Sequence, residues 1–183
     1  ATGSRLLRNS NGKFTDVSKL SPALTEKRIV TGAIWSDADG DGWVDLLIST
    51  EWGPIQFLRN DKGKLVDATE ESGLSPFLGW WTGINGADID HDGDIDLLAT
   101  NFGLNTKYKA SSKMPEVLFY GDFENSGRKR IVEAGFEGGV CYPHRGFSCS
   151  RNAMPFVGSK LKTFHNFASA ALPEIYPRSS LGK

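Results

Sequence analysis

The sequence predicts an all-β fold made of β-propeller blades, about three of them, with a helix packed on them at the C-terminal end. Three observations point there. The chain repeats itself at an offset of 51 residues, from Asp37 to Asp88; each copy breaks into short apolar runs separated by turn signals; and each copy carries an acidic loop at the same place. A repeat of roughly 40 to 50 residues filled with short strands matches a four-stranded blade, whereas a helical solenoid would show a 3.6-residue period.

In chain order, RLLRNSNGKFTDVS from Arg5 aligns without a gap with QFLRNDKGKLVDAT from Gln56. Arg8 falls on Arg59, Asn9 on Asn60, Gly12 on Gly63, Asp16 on Asp67, Thr31 on Thr82 and Gly32 on Gly83. The Asn-Gly of SNGK and the Lys-Gly of DKGK read as turns, so Phe14 with Val17, and Leu65 with Ala68, are expected on the strand that ends each hairpin. The runs VDLLIST and PIQFLRN supply further strands. A degenerate third copy, GDFENSGRKRIVEAGF, starts at Gly121; Asp122 lies only 34 residues beyond Asp88, so the intervening strands are shortened or replaced.

Residues 1–138 are therefore expected to form the blades. Residues 139–183, in the same domain, are expected to open with the turn-rich loop VCYPHRGFSCSRNAMPF and to continue into an amphipathic helix from Ser159 to Tyr176. Leu161, Phe164, Phe167, Ala168, Ala171, Leu172 and Ile175 recur at three- and four-residue steps, and Pro173 is expected to end the regular part.

Lys and Arg total 21 against 22 Asp and Glu, a balance that argues against a broad nucleic-acid footprint or a polybasic membrane patch. No apolar run approaches the roughly 18 residues of a membrane span, and no charged-then-apolar leader opens the chain, so a soluble, mature or excised segment without membrane insertion is expected. Cys141 and Cys149 are too few for a disulfide scaffold; they either close one short bridged loop or remain free thiols.

Within this near-neutral chain the acid is local. DADGDGWVDLL places Asp37, Asp39, Asp41 and Asp45 at positions 1, 3, 5 and 9 of one loop, and DIDHDGDIDLL repeats the set as Asp88, Asp90, Asp92 and Asp96. Alternate residues of a curling backbone face inward, and glycine at position 6, Gly42 or Gly93, permits the sharp turn. Four converging carboxylates, a backbone carbonyl at position 7 from Trp43 or Asp94, and water suit a hard cation that takes six to eight oxygens, which describes calcium. Magnesium prefers fewer protein ligands, and zinc or copper would call for His or Cys. His91 stands at position 4, which points outward.

An EF-hand would need Glu at position 12, where Ile48 and Ala99 stand, followed by a helix rather than a strand-like Leu-Leu run. A metal-free Asp-Gly turn leaves four carboxylates in register, twice, without a reason. The third loop departs from the pattern. Asp122, Glu124, Ser126 and Gly127 hold positions 1, 3, 5 and 6, but position 9 is Arg130, whose guanidinium either takes the cation's place by bridging Asp122 or Glu124 or points to solvent.

These loops, with the EWGP and NFG segments and LRNDKGKLVDATEESGL, resemble the FG-GAP (VCBS-type) repeat of integrin α-subunit propellers and of many secreted bacterial proteins. The last of these stretches, the FYGDFENSG loop and the tail from YPHRG to PEIY are similar, more narrowly, to bacterial FG-GAP proteins associated with ASPIC/UnbV modules. The resemblance implies a β-propeller, calcium (Ca2+) held structurally in inter-strand loops, a secreted, periplasmic or cell-surface location, and a role in adhesion or ligand binding. Such propellers usually have seven or so blades, so about three would leave edge strands open to self-association or to capping by the terminal helix.

The expected function is thus a non-catalytic calcium-binding module for a protein or carbohydrate ligand, with Trp52, Trp80 and Trp81 either on a binding face or in the core. The alternative is a polysaccharide lyase or hydrolase built on a propeller, whose candidate groups are Tyr142, His144 and Arg145.

Overall fold

Turn residues set where the strands begin. In a computed structural model, which describes residues 3–26, 28–103, 106–111 and 113–181, Asn11 and Gly12 take φ of 52° and 82°, and Lys62 and Gly63 take 51° and 96°. Two consecutive positive φ values give the primed turn whose twist suits a tight antiparallel hairpin. Asn9 Oδ1 accepts the Gly12 amide at 2.9 Å and Asn60 Oδ1 accepts that of Gly63 at 2.7 Å, so one asparagine anchors each turn.

The chain divides into two units, Ala1–Asn105 and Thr106–Lys183. The first contains β1 (Leu7–Ser10), β2 (Lys13–Asp16), β3 (Ile29–Ser36), β4 (Asp45–Glu51), β5 (Gly53–Pro54), β6 (Gln56–Asp61), β7 (Lys64–Asp67), β8 (Leu78–Gly79), β9 (Trp81–Ala87) and β10 (Asp96–Asn101). Strands β3, β4, β6 and β7 pair in that order as a four-stranded antiparallel sheet. The 51-residue offset survives in the pairing. Leu7 opposes Asp16 as Leu58 opposes Asp67, and Ser36 opposes Asp45 as Ala87 opposes Asp96. The first hairpin is thus the equivalent of β6–β7, and β9–β10 is the equivalent of β3–β4.

Strand β4 is buried along nearly its whole length because both of its faces are covered. Leu46 and Ile48 point one way, into a cluster with Leu24, Leu58 and Leu65. Leu47 points the other way, against Phe57 and Ala68, with Ile34, Ile84 and Leu97 packed alongside. The second face depends on how closely β9 approaches β3. A Cβ at Gly32 would stand 2.9 Å from Ser49 Oγ, 3.1 Å from the Ile84 nitrogen and 3.3 Å from the Gly83 Cα, so only glycine fits. Leu65 lies on β7 and Phe14 on β2 as expected, whereas Ala68 and Val17 sit just past the strand ends.

The second unit contains β11 (Val117–Gly121), β12 (Arg130–Glu137), β13 (Val140–Pro143) and four short helices, α1 (Phe147–Ala153), α2 (Pro155–Leu161), α3 (Phe164–Ser169) and α4 (Leu172–Ile175). The three strands form one antiparallel sheet in chain order. Phe123, Val132 and Ala134 pack with Phe147, Met154, Val157, Phe167, Leu172, Ile175 and Tyr176 into a single core. The chain is therefore mostly β-sheet, in several small antiparallel sheets with four α-helices among the described residues, which is compatible with the expected all-β class.

Two expectations are corrected here. VCYPHRGFSCSRNAMPF is not a loop: it is β13 followed by α1, and β13 is reached through the Gly138–Gly139 turn at φ 58° and 84°. Nor is Ser159–Tyr176 one helix. Lys162 takes φ 61°, which no right-handed helix continues through, and Thr163 Oγ1 then caps α3 by accepting the Asn166 amide at 3.1 Å. Ala170 is extended, and Pro173 opens α4 in its first turn, where its missing N–H has no helical partner to lose. Among the described residues, no helix is long and apolar enough to cross a membrane.

Because the Gly32 site has no room for a methyl group, Gly32→Ala is expected to lose about 1–3 kcal/mol through overpacking. Urea unfolding should show a lower midpoint at an unchanged slope. An unchanged midpoint would mean that β9 does not depend on that close approach.

Candidate metal centres

Each acidic loop joins two antiparallel strands, and the residue before the loop pairs with the residue at position 9: Ser36 with Asp45, Ala87 with Asp96, Gly121 with Arg130. Positive φ recurs at position 4, in Gly40, His91 and Asn125, and at position 6, in Gly42, Gly93 and Gly127. The first aspartate curls the loop by accepting the amide of residue 6. Asp37 Oδ2 accepts from Gly42 at 3.0 Å, Asp88 Oδ2 from Gly93 at 3.2 Å and Asp122 Oδ2 from Gly127 at 2.6 Å.

The curl brings three of the four expected carboxylates together in each complete loop. Asp37, Asp39 and Asp45 each offer a carboxylate oxygen within 4.8 Å of the others, and Asp88, Asp90 and Asp96 do the same. Asp41 and Asp92 lie outside these triplets, and their Oδ1 atoms accept the amides of Trp43 and Asp94 at 2.8 and 2.9 Å. His91 is exposed and belongs to neither triplet. Three like charges this close disfavour one another unless a cation lies among them. The donor set is hard oxygen throughout, and Asp88 Oδ1 is buried with no hydrogen-bond partner, an acceptor that a cation would satisfy. The residues fit a hard divalent ion.

The two loops differ in their surroundings. Asp45 is fully buried, its Oδ2 accepting the Ala38 amide at 3.0 Å and its Oδ1 the Asn60 amide at 2.7 Å. Asn60 also donates from Nδ2 to the Val44 carbonyl at 2.8 Å. Asp96 repeats only the first of these bonds, accepting the Ile89 amide at 3.0 Å, and is exposed, because among the described residues no strand takes the place of β6 beside β10. Asn60 is a site residue that motif reading missed; its signal was the shared Arg-Asn of LRNS and LRND.

In the third loop, burial pushes the Asp122 carboxyl up, but the amides of Ser126, Gly127, Glu124 and Asn125 outweigh it and hold the group below the usual carboxylate range. Both alternatives for Arg130 are corrected. Among the described residues it forms no ion pair with Asp122 or Glu124, and it does not simply point to solvent, since its Nε is buried without a partner. The amides already satisfy Asp122, which leaves a guanidinium nothing to replace.

The remaining candidates scatter. His144 Nε2 is in contact with Glu116 Oε2, and its ring meets Tyr108 edge-on at 5.1 Å. Tyr142 lies in β13 opposite Gly135, so the strand fixes its backbone. Trp52 and Trp80 are half-buried with ring centroids 5.5 Å apart, and Trp80 stacks on Phe102 at 5.1 Å. Trp81 Nε1 donates to the Gly53 carbonyl at 3.1 Å. Cys141 and Cys149 are both free thiols.

One span holds both triplets and the strands from β4 to β9 between them. Residues 37–99 match the FG-GAP-like repeat. The repeat runs from position 1 of the first loop into β10 and does not extend to the third loop or the tail. No curated protein and no solved structure matches the chain.

Within the FG-GAP-like span, Asp45 and Asp96 occupy one position with different burdens. In chelator, Asp45→Ala removes a fully buried carboxylate and takes the acceptor from two part-buried bonds, those of the Ala38 and Asn60 amides, an expected loss of about 1–3 kcal/mol. Asp96→Ala leaves only the exposed Ile89 amide, which water can reach, so its loss is expected below about 1 kcal/mol. Equal losses in denaturant melts would contradict the asymmetry.

Proposed function

We propose that this chain is a non-catalytic part of a β-propeller that binds structural calcium in its inter-strand loops and presents blade surfaces to a protein or carbohydrate ligand outside the cytoplasm. The observation that carries this reading is the pair of aspartate triplets in equivalent positions, one of them with an orphaned buried oxygen. Sheet β3-β4-β6-β7, residues 29–67, has the strand number and up-and-down order of a blade. The hairpin β1–β2 and the pair β9–β10 repeat the outer and inner halves of that sheet in register. Loop sites of this exposure suit compartments with roughly millimolar calcium, which supports a secreted, periplasmic or cell-surface location.

Self-association is part of the proposal. Strand β10 pairs only with β9 among the described residues, and Leu98 on it is 63% exposed where the equivalent Leu47 is 2% exposed. A lyase or hydrolase has less support, since the imidazole of His144 is engaged by Glu116 and Tyr108 rather than set toward a substrate.

Calorimetric titration of chelator-treated protein is expected to show two calcium sites with dissociation constants of roughly 10⁻⁴ to 10⁻³ M. Asp45→Ala should retain one site and His91→Ala both. At about 1 mM calcium and a dissociation constant near 0.1 mM, each site adds about 1.4 kcal/mol to stability, seen as a higher melting temperature. No calcium uptake would end the proposal. In sedimentation, Leu98→Lys should weaken association; a wild type that stays monomeric at every concentration would remove self-association from it.

A further inference from the structure

A cavity of about 280 Å³ lies in the second unit, apart from both aspartate triplets. Three cations line it, Lys129, Arg130 and Arg145, against one carboxylate, Glu133. Glu133 is already engaged. It accepts the Tyr108 hydroxyl at 3.1 Å and lies 3.6 Å from Lys107 Nζ. Burial, and then the Glu133 charge, push Tyr108 up to about 12, so its hydroxyl stays a donor to that carboxylate. None of the three lining cations forms an ion pair among the described residues.

Arg130 concentrates the imbalance. Its guanidinium is charged at any ordinary pH and donates from every nitrogen, yet Nε is buried with no acceptor. A buried, charged donor without a partner is costly, and the nearby loop cannot supply one because the Asp122 oxygens are taken by backbone amides. Arg145 adds a second fork on the same cavity, with its backbone carbonyl held by the Ser150 hydroxyl at 3.1 Å. Tyr120 forms an aromatic wall, and Lys129 Nζ lies 5.3 Å from its ring centroid.

We infer that this cavity is a binding site for a small oxyanion-bearing ligand, whose carboxylate or phosphate would pair with Arg130 and Arg145 while its body rests on Tyr120. Planar guanidinium groups match both oxyanions in a bidentate fashion. The volume admits a monosaccharide-sized acid or a single end group rather than a polymer segment.

The test is a titration of the whole chain with inorganic phosphate and, separately, with glucuronate, at ionic strength held constant with chloride so that screening does not change. The readout is the arginine Nε–H region of a ¹H–¹⁵N spectrum. A saturable shift of the Arg130 signal with either probe supports the site, and the probe that binds more tightly names the oxyanion. Arg130→Gln, followed through the Arg145 Nε–H signal, should weaken that binding about tenfold or more, the effect of losing a charge-assisted pair. Should Arg130→Gln fail to fold, Arg145→Gln, on an exposed residue, gives the same comparison. No saturable shift with either probe, or equal binding by wild type and a folded variant, would overturn the inference.

Discussion

The first unit depends on one buried carboxylate. Asp45 receives the amide of Ala38 from the acidic loop and the amide of Asn60 from β6, so the same side chain closes the loop and ties it to the next strand. A fully buried acid is tolerated because each of its oxygens has a donor, and because the same group belongs to an oxygen triplet suited to a cation. Around it Leu46, Leu47 and Ile48 enter opposite faces of one sheet, which is why a strand that begins with a charge is otherwise the most buried in the unit. Moving the charge one residue along would turn every side chain of β4 to the wrong face.

Much of this was legible in the residues. The offset from Asp37 to Asp88 placed loops, turns and strands together, since Asn-x-x-Gly turns and acidic loops each impose backbone geometry through local hydrogen bonds that depend little on the rest of the fold. Asp41 and Asp92 show the limit of spacing alone. Alternation brings them to the correct side in principle, yet they lie outside the triplets, and their bonds to the amides of Trp43 and Asp94 do not set them apart, since Asp39 and Asp90 accept amides two residues on from within the triplets.

The second unit was read less well, for physical reasons. Helices of four to seven residues are too short for a 3.6-residue pattern to separate from noise, and the apolar steps between Leu161 and Ile175 come from three segments that share one core. Their breaks are set by Lys162 and Ala170, neither of which carries a breaker's side chain. Pro173 marks a boundary from its start side rather than its end, a distinction the sequence does not carry, because proline at a helix start and proline beyond a helix end look alike in a sequence. Arg130 is a similar case: its place at position 9 is plain in the sequence, but the amides that satisfy Asp122 can be seen only in three dimensions.

Equivalent leucines with opposite exposure carry a thermodynamic meaning. Leu58 is fully buried where Leu7 is 51% exposed, and Leu47 is 2% exposed where Leu98 is 63% exposed. The apolar code is the same, but it is redeemed only where an adjoining sheet covers it. The first unit should then behave like a short one-dimensional Ising chain, with a modest intrinsic term for each sheet and a large coupling term between neighbours. Strand β4, coupled on both sides, would open only with the whole unit, while β1–β2 and β10 would fray in smaller fluctuations. Amide exchange would be slowest at Leu46 to Ile48 and grade outward in both directions, a profile set by adjacency rather than by local composition.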